Sequence, residues 1–266
     1  MDSVWQTLAL GAVQGAAEFL PVSSSGHLAL LQTFFGMSSD GLLAFDLLLH
    51  CATALAVLIF FREDATAFLG QWCKGLFSGE TRASEGWRYG WLTLAGTAMT
   101  ALVALPLKGA VEAAMASPLM VGCGFLTTAG LLCLAPLAQE RRGLTLAAAL
   151  VVGLAQGLAV FPGVSRSGAT IAAALFMGLP AAEAFRFSFL MSVPAILGAS
   201  LLEGLEFPRA PLPMGWPWAA LLAFALGCCS LSLLRRLVLS GRWAYFGLYC
   251  FLLGLVAVVS GIMTAF

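Results

Sequence analysis

The chain has 266 residues, 61% of them apolar, with 13 Lys plus Arg set against 13 Asp plus Glu. A soluble domain of ordinary composition carries about 25% charged residues; here the share is 10%, too little polar surface to cover a water-soluble globule, and the mean hydropathy of +0.96 agrees that the solvent is lipid. Balanced charge without a Lys/Arg run excludes a nucleic-acid footprint, and seven Cys with no CxxC or Cys/His spacing exclude a disulfide framework and a zinc site.

In chain order, Met1-Asp2-Ser3-Val4 offers no basic n-region, and the first Lys or Arg is Arg62. The first apolar segment is therefore read as part of the mature protein and not as a signal peptide. Residues 4–20 would pass as a helix, but Pro21-Val22-Ser23-Ser24-Ser25-Gly26-His27 interrupts it, and only a short apolar arm follows before Gly36. Three spans are predicted next, at 43–61, 89–106 and 118–137. Residues 144–161 repeat the first pattern, broken by Pro162-Gly163-Val164-Ser165-Arg166-Ser167-Gly168 and followed by a short arm ending near Gly178-Leu179-Pro180. Three more spans follow at 185–204, 215–234 and 244–265. Each of the six is close to the ~20 helical residues that cross a hydrocarbon core of about 30 Å, and each interrupted region is predicted to be a re-entrant helical hairpin.

The two interrupted regions are copies of each other. QGAAEFLPVSSSG from Gln14 and QGLAVFPGVSRSG from Gln156 share eight identities in thirteen, without a gap, at an offset of 142 that also pairs Phe45 with Phe187. A duplication follows, with repeat 1 at about 1–140 and repeat 2 at about 141–266 of a single membrane domain. A hairpin returns to its own side while three spans cross an odd number of times, so the second copy must be inverted. The expected fold is an all-α polytopic membrane protein of six transmembrane helices and two re-entrant hairpins in an inverted-topology repeat, a design found in many transporters. With the 62–88 loop on one side, that side receives ten basic residues (Arg62, Lys74, Arg82, Arg88, Arg141, Arg142, Arg186, Arg235, Arg236 and Arg242) against two, Lys108 and Arg209, on the other. The richer side is expected to be cytoplasmic, with both termini outside.

Arg166 falls inside the second break, and Glu18 and His27 flank the first. A charge at membrane depth costs about 2.5 kcal/mol or more and is tolerated where it is paired or lines a wet cavity. Two Ser-Gly-rich breaks facing one another would gather backbone N–H groups, the hydroxyls of Ser23, Ser24, Ser25, Ser165 and Ser167, and one guanidinium, which together make an anion site. Arg matches phosphate oxygens with a planar fork of donors, and two half-sites suit a diphosphate. A carboxylate beside such a site implies a divalent cation or a proton carrier. Gln14 and Glu18, at i and i+4, share a helix face. His27 and the three hydroxyls of the first break complete a set able to attack phosphorus and shuttle protons. A bare Glu18–Arg166 ion pair is the plain alternative. Asp46 and His50 form a second i, i+4 pair, readable as a solvated helix end or as a wall of the site.

QGAAEFLPVSSSGH at 14–27 and FPGVSRSGAT at 161–170 resemble the two signature motifs of the undecaprenyl pyrophosphate phosphatase family (UppP/BacA, the bacitracin-resistance proteins). FDLLLH at 45–50 and FRFSFLMSVPAILGA at 185–199 resemble it as well. The resemblance implies an enzyme of the bacterial inner membrane that removes the terminal phosphate of undecaprenyl diphosphate, recycling the lipid carrier for peptidoglycan synthesis, with a divalent cation, Mg²⁺ or Ca²⁺. The family's functional positions fall on Glu18, Ser24 and His27, and on Ser165, Arg166 and Thr170. Gln14 stands where many members carry a second Glu, so the cation falls to Glu18 with Gln14, alone, or with Asp46. The expected phosphate-binding set is Ser23, Ser25, Gly26, Ser165, Arg166, Ser167 and Thr170. The nucleophile is open between Ser24, His27 and water. Expected partners are the polyisoprenyl diphosphate, membrane lipid and a second copy of the chain. The active site is expected to open outward, because the acid, the histidine and most hydroxyls sit on the outer-entering hairpin. The rival class is a lipid-phosphate flippase.

Overall fold

The computed structural model describes residues 3–37, 42–135, 143–206 and 212–263. These form eleven α-helices and no strand among the described residues: α1 Val4–Ala17, α2 Ser24–Phe35, α3 Leu42–Phe60, α4 Arg62–Phe77, α5 Glu85–Met115, α6 Pro118–Leu134, α7 Leu146–Leu158, α8 Arg166–Phe176, α9 Ala181–Glu206, α10 Trp216–Leu239 and α11 Tyr245–Met263. The helix starts carry local signals. Ser84, Ser117, Thr145 and Ser165 each accept from the backbone N–H three residues on, with Pro118 in the first turn of α6, the arrangement that satisfies an orphan donor at a helix start.

Burial runs in the sense expected of a membrane protein. Gln14, Thr53, Thr170 and Ser192 are fully buried, whereas Leu102, Leu201, Val256 and Tyr245 are 65–76% exposed; buried polar side chains inside a surface of large apolar ones suit a lipid surrounding. Four described helices are long and apolar enough to cross a membrane: α5, the Ala181–Leu202 part of α9, α10 and α11. A fifth is reached if the Ala44–Phe60 part of α3 is counted with α4, which turns away from it by 84°. The chain is a multi-pass membrane protein.

The structure departs from the predicted elements in three places, the first being α5, which runs to Met115, past the predicted end at 106. Residues 62–88, predicted as a loop, hold α4, a 3₁₀ turn at Glu80–Ala83 and the start of α5. Helix α6 is 17 residues long, about 25 Å, and the stretch predicted to carry it to 137 ends outside the described residues. Arg141, Arg142 and Arg209, three of the charges behind the predicted orientation, also lie outside them.

What positions the site is backbone packing at glycine. A Cβ on Gly11 or Gly15 of α1 would lie 2.4 Å from the carbonyl oxygen of Ala219 or Ala223 in α10. The same contact recurs 142 residues on, where a Cβ on Gly153 of α7 would lie 2.2 Å from Gly96 O, and one on Gly157 would lie 3.0 Å from Thr100 O, both in α5. Bare backbones allow the close helix approach that drives association in lipid. Each interface is also tied by a hydroxyl: Ser230 Oγ donates to Gly15 O at 2.8 Å, and Thr100 Oγ1 to Gly153 O at 3.0 Å. The aromatic core stacks on this frame through Phe19, Phe61, Phe185 and Phe189, with the Phe19–Phe189 pair edge-on at 5.5 Å between centroids.

Candidate active site

Helices α1 and α2, and again α7 and α8, are joined by short turns in which the apolar run breaks. At the first break Ser23 holds φ 63°, a left-handed backbone that an L side chain rarely adopts, while its Oγ accepts from Gly26 N at 3.4 Å and faces Ser25 Oγ at 3.3 Å. At the second, Gly163 takes the left-handed conformation (φ 87°), and Ser165 Oγ accepts from Gly168 N and faces Ser167 Oγ, both at 3.1 Å. Thr128 of α6 braces this second break: its Oγ1 donates to Gly163 O and accepts from Ser165 N, both at 2.8 Å.

The breaks meet each other. A Cβ on Gly26 would come within 3.0 Å of Gly163 Cα, and one on Gly168 within 3.3 Å of the Pro21 side chain. Adding 142 to Pro21 and Gly26 gives Gly163 and Gly168, so the two contacts are exchanged by the sequence repeat. Ser167 Oγ further donates to Leu20 O at 3.3 Å. The N-termini of α2 and α8 thus open onto one place, where the partial positive ends of two helices favour an anion.

Glu18, buried between them, is the hub. Its Oε2 accepts from Ser24 Oγ at 2.6 Å and from Gln14 Nε2 at 3.0 Å, and its Oε1 pairs with Arg166 Nη2. Ser24 and Arg166 are related by the same offset of 142, each the first residue of its helix. The predicted charges are thus brought together in the direct ion pair that the plain alternative expects, and a serine hydroxyl and an amide share the carboxylate with it. Arg166 Nη1 is buried with no hydrogen-bond partner among the described residues, an incomplete fork that suits another acceptor such as a phosphate oxygen.

The other predicted residues divide. Thr170 lies behind Arg166, donating to Arg166 O at 2.8 Å and meeting Ser188 of α9 at 2.5 Å, which makes it a brace of the α8 start. His27 does not join Glu18 in this structure: its Nδ1 is 2.7 Å from Ser23 O and its Nε2 is 2.7 Å from the Tyr249 hydroxyl on α11. The histidine beside Glu18 is His50, with Nε2 3.6 Å from Oε2 and Nδ1 2.7 Å from Asp46 O. The Asp46 carboxylate is held by Gln32, whose Nε2 lies 2.8 and 2.9 Å from its two oxygens. Sequence reasoning missed Tyr249, Thr128 and Ser188, which reach the site from α11, α6 and α9 at separations that carry no periodic signal, and Gln32 of α2, which holds Asp46.

The donor set also bears on the expected cation. No group of three or more His, Cys, Asp or Glu that could hold a metal ion occurs among the described residues, and Asp46 is engaged elsewhere. The carboxylate of Glu18 and the amide oxygen of Gln14, which is buried without a partner among the described residues, are two hard oxygens four residues apart, and they face one ion once the Gln14 amide, which here presents its Nε2 to Glu18, is turned over. Such a pair fits a Mg²⁺- or Ca²⁺-type ion that arrives with a diphosphate and takes its remaining ligands from it, and is too small for a closed all-protein site.

Residues 7–256 match the family model described as bacitracin resistance protein BacA. The chain belongs to this family. Curated relatives named undecaprenyl-diphosphatase include one from Desulfosudis oleivorans, 42% identical over 265 residues (94% of this chain, 95% of the relative). Another, from Korarchaeum cryptofilum, is 40% identical over 260 residues (96% and 98%), and one from Bacteroides fragilis is 37% identical over 264 residues (96% and 97%). The BacA match covers both breaks and every residue of the Glu18 cluster.

Proposed function

We propose that this chain is an integral membrane phosphatase that hydrolyses undecaprenyl diphosphate to undecaprenyl phosphate and inorganic phosphate. The observation that carries the reading is the Ser24–Glu18–Arg166 cluster at two facing helix starts: a hydroxyl 2.6 Å from a carboxylate, within the range for a nucleophile and its base, and a guanidinium with one buried nitrogen still unpartnered. The substrate's identity comes from the relatives' name.

In the mechanism these residues support, the diphosphate enters between the starts of α2 and α8. Arg166 Nη1 takes a terminal phosphate oxygen, and the Ser23, Ser25, Ser165 and Ser167 region surrounds the rest. Ser24 Oγ attacks the terminal phosphorus while its proton passes to Glu18. The new Oγ–P bond replaces the bridging P–O bond, and undecaprenyl phosphate leaves with the bond's electron pair. Water then attacks the phosphoserine, releasing inorganic phosphate and restoring the Ser24 hydroxyl, with His27, one helical turn along α2, handling the proton. A divalent cation on Glu18 and Gln14 would neutralise diphosphate charge.

We further propose six membrane crossings and two re-entrant hairpins in an inverted repeat. The support is the recurrence at 142 residues of the glycine contacts, of the Ser-Gly caps and of the break-to-break contacts. Both termini outside, an outward-opening site, the bacterial inner membrane, recycling of the carrier for peptidoglycan and bacitracin resistance belong to the same proposal. Flipping of a lipid phosphate is the second reading, favoured by the repeat architecture; against it, Glu18 and Ser24 occur in one copy only, with Val160 and Arg166 at the matching positions. Phosphate release from undecaprenyl diphosphate by the protein in nanodiscs tests the reading. Release abolished by Ser24→Ala is expected; lipid transfer between leaflets of a vesicle without phosphate release would overturn it.

A further inference from the structure

His27 is held at both ring nitrogens, and the two holds have different chemistry. Nδ1 faces Ser23 O at 2.7 Å; a carbonyl only accepts, so this nitrogen carries the proton. In the neutral ring Nε2 is then an acceptor, and the Tyr249 hydroxyl, 2.7 Å away across 222 residues of sequence, is its donor. The two rings lie parallel to within 3°, and Phe125 of α6 stands perpendicular to the imidazole at 5.3 Å between centroids. The next residue of α11, Cys250, directs its Sγ to Pro21 O at 3.5 Å. Helix α11 therefore grips the first break at two consecutive positions, once through its backbone and once through His27.

We propose that Tyr249 is a positioning residue of the phosphatase reaction, its hydroxyl holding His27 in one rotamer and one tautomer beside the nucleophile-bearing turn of α2. The proposal rests on the reading of His27 as a proton carrier. A proton carrier is useful only if its basic nitrogen is held in one direction, and a ring free to rotate between Ser23 and lipid would spend much of its time misdirected. The phenol supplies direction without charge, and because an O–H both donates and accepts, it stays bonded to Nε2 whether or not that nitrogen gains a proton. A tyrosine at the edge of a membrane protein is often only an amphipathic packing residue. Tyr249 is 46% exposed, so its ring alone does not separate the two roles. The hydroxyl does: a packing residue tolerates Phe, a positioning residue does not.

The experiment uses the full chain in nanodiscs with ¹⁵N-labelled histidine. The chain has two histidines, so His50→Gln assigns the spectrum. In the wild type, His27 is expected as the Nδ1-protonated tautomer, and Tyr249→Phe should move its Nε2 resonance downfield, as loss of a hydrogen bond to a bare ring nitrogen does. The same variant should lower kcat for phosphate release about tenfold, near the upper range for one hydrogen bond, with KM unchanged, and should have no further effect in a His27→Gln background. Wild-type kcat with an unmoved resonance in Tyr249→Phe overturns the proposal, as does a wild-type spectrum with Nε2 protonated, which needs no variant. A rise in KM alone overturns it too, since that would make Tyr249 a substrate contact. Full activity in His27→Gln overturns the proton-carrier reading itself, a failure distinguishable because the Tyr249-dependent resonance shift would remain.

Discussion

Glu18→Gln keeps the shape of the side chain and removes what three donors rely on. Gln14 Nε2 and Ser24 Oγ point at one carboxylate oxygen, and Arg166 Nη2 at the other. An amide has a single acceptor oxygen, so whichever way the substituted side chain turned, its NH₂ would face either the Arg166 fork or the Gln14 amide. If Ser24 gives its proton to Glu18, turnover should fall by about 10²–10⁴, the range for losing a positioned base. Stability should fall as well. The side chains are 5% and 16% exposed for Glu18 and Arg166, and removing one partner of a buried pair costs about 3–5 kcal/mol because the other charge is left uncompensated. Phosphate release in nanodiscs, at saturating and limiting substrate, together with thermal unfolding of the same samples, reads both effects. The double variant Glu18→Gln/Arg166→Gln should recover part of the lost stability and none of the activity. Turnover within about threefold of wild type, well below any positioned-base contribution, would refute the base assignment. An unfolding temperature unchanged in the single variant would refute the coupling to Arg166.

Other residues give independent tests. Thr128→Val keeps the volume and leaves Gly163 O and Ser165 N without their shared partner; a loss of about 1–3 kcal/mol is expected, read by unfolding in detergent, and no loss would mean the second break is held without its brace. Asp46→Asn should reduce phosphate release far less than Glu18→Gln, because both Asp46 carboxylate oxygens already accept from Gln32; equal losses would return Asp46 to the cation. Ser25→Cys, in a background without native Cys, should be labelled from outside intact cells by a membrane-impermeant thiol reagent. Labelling only in inverted vesicles would reverse the proposed opening, and labelling from both sides in turn would favour the flippase.

The parts of this molecule legible in its sequence are those where lipid makes polar residues conspicuous. Pro21–His27 and Pro162–Gly168 stand out because an apolar run should not contain Ser, Gly, Pro and Arg together, and their likeness to each other implies the pairing found between Gly26 and Gly163 and between Gly168 and Pro21. Arg166 and Glu18 are conspicuous for the same reason and do meet. Residues joined by tertiary packing alone are not legible. Tyr249 is one aromatic residue in an apolar helix, where tyrosines commonly sit for lipid reasons, and nothing in its neighbourhood points to His27. Asp46 looks like a ligand because it shares a helix face with His50; the Gln32 that occupies it comes from α2, fourteen residues away. Helix α4 looks like a loop in the sequence because Arg62, Glu63 and Asp64 open it and polar residues recur along it, yet Gly75 packs against the Trp87 ring of α5, and the helix is stabilised by that contact more than by its own periodicity.

In the proposed mechanism Ser24 attacks the terminal phosphorus with Glu18 as its base. Rapid acid quench of the enzyme mixed with undecaprenyl diphosphate labelled in its terminal phosphate tests it directly. Acid-stable label is expected on the protein within the first turnover, on the peptide containing Ser24, and none in Ser24→Ala. Acid-labile label on the His27 peptide, or labelled phosphate released by Ser24→Ala at the wild-type rate, would contradict it.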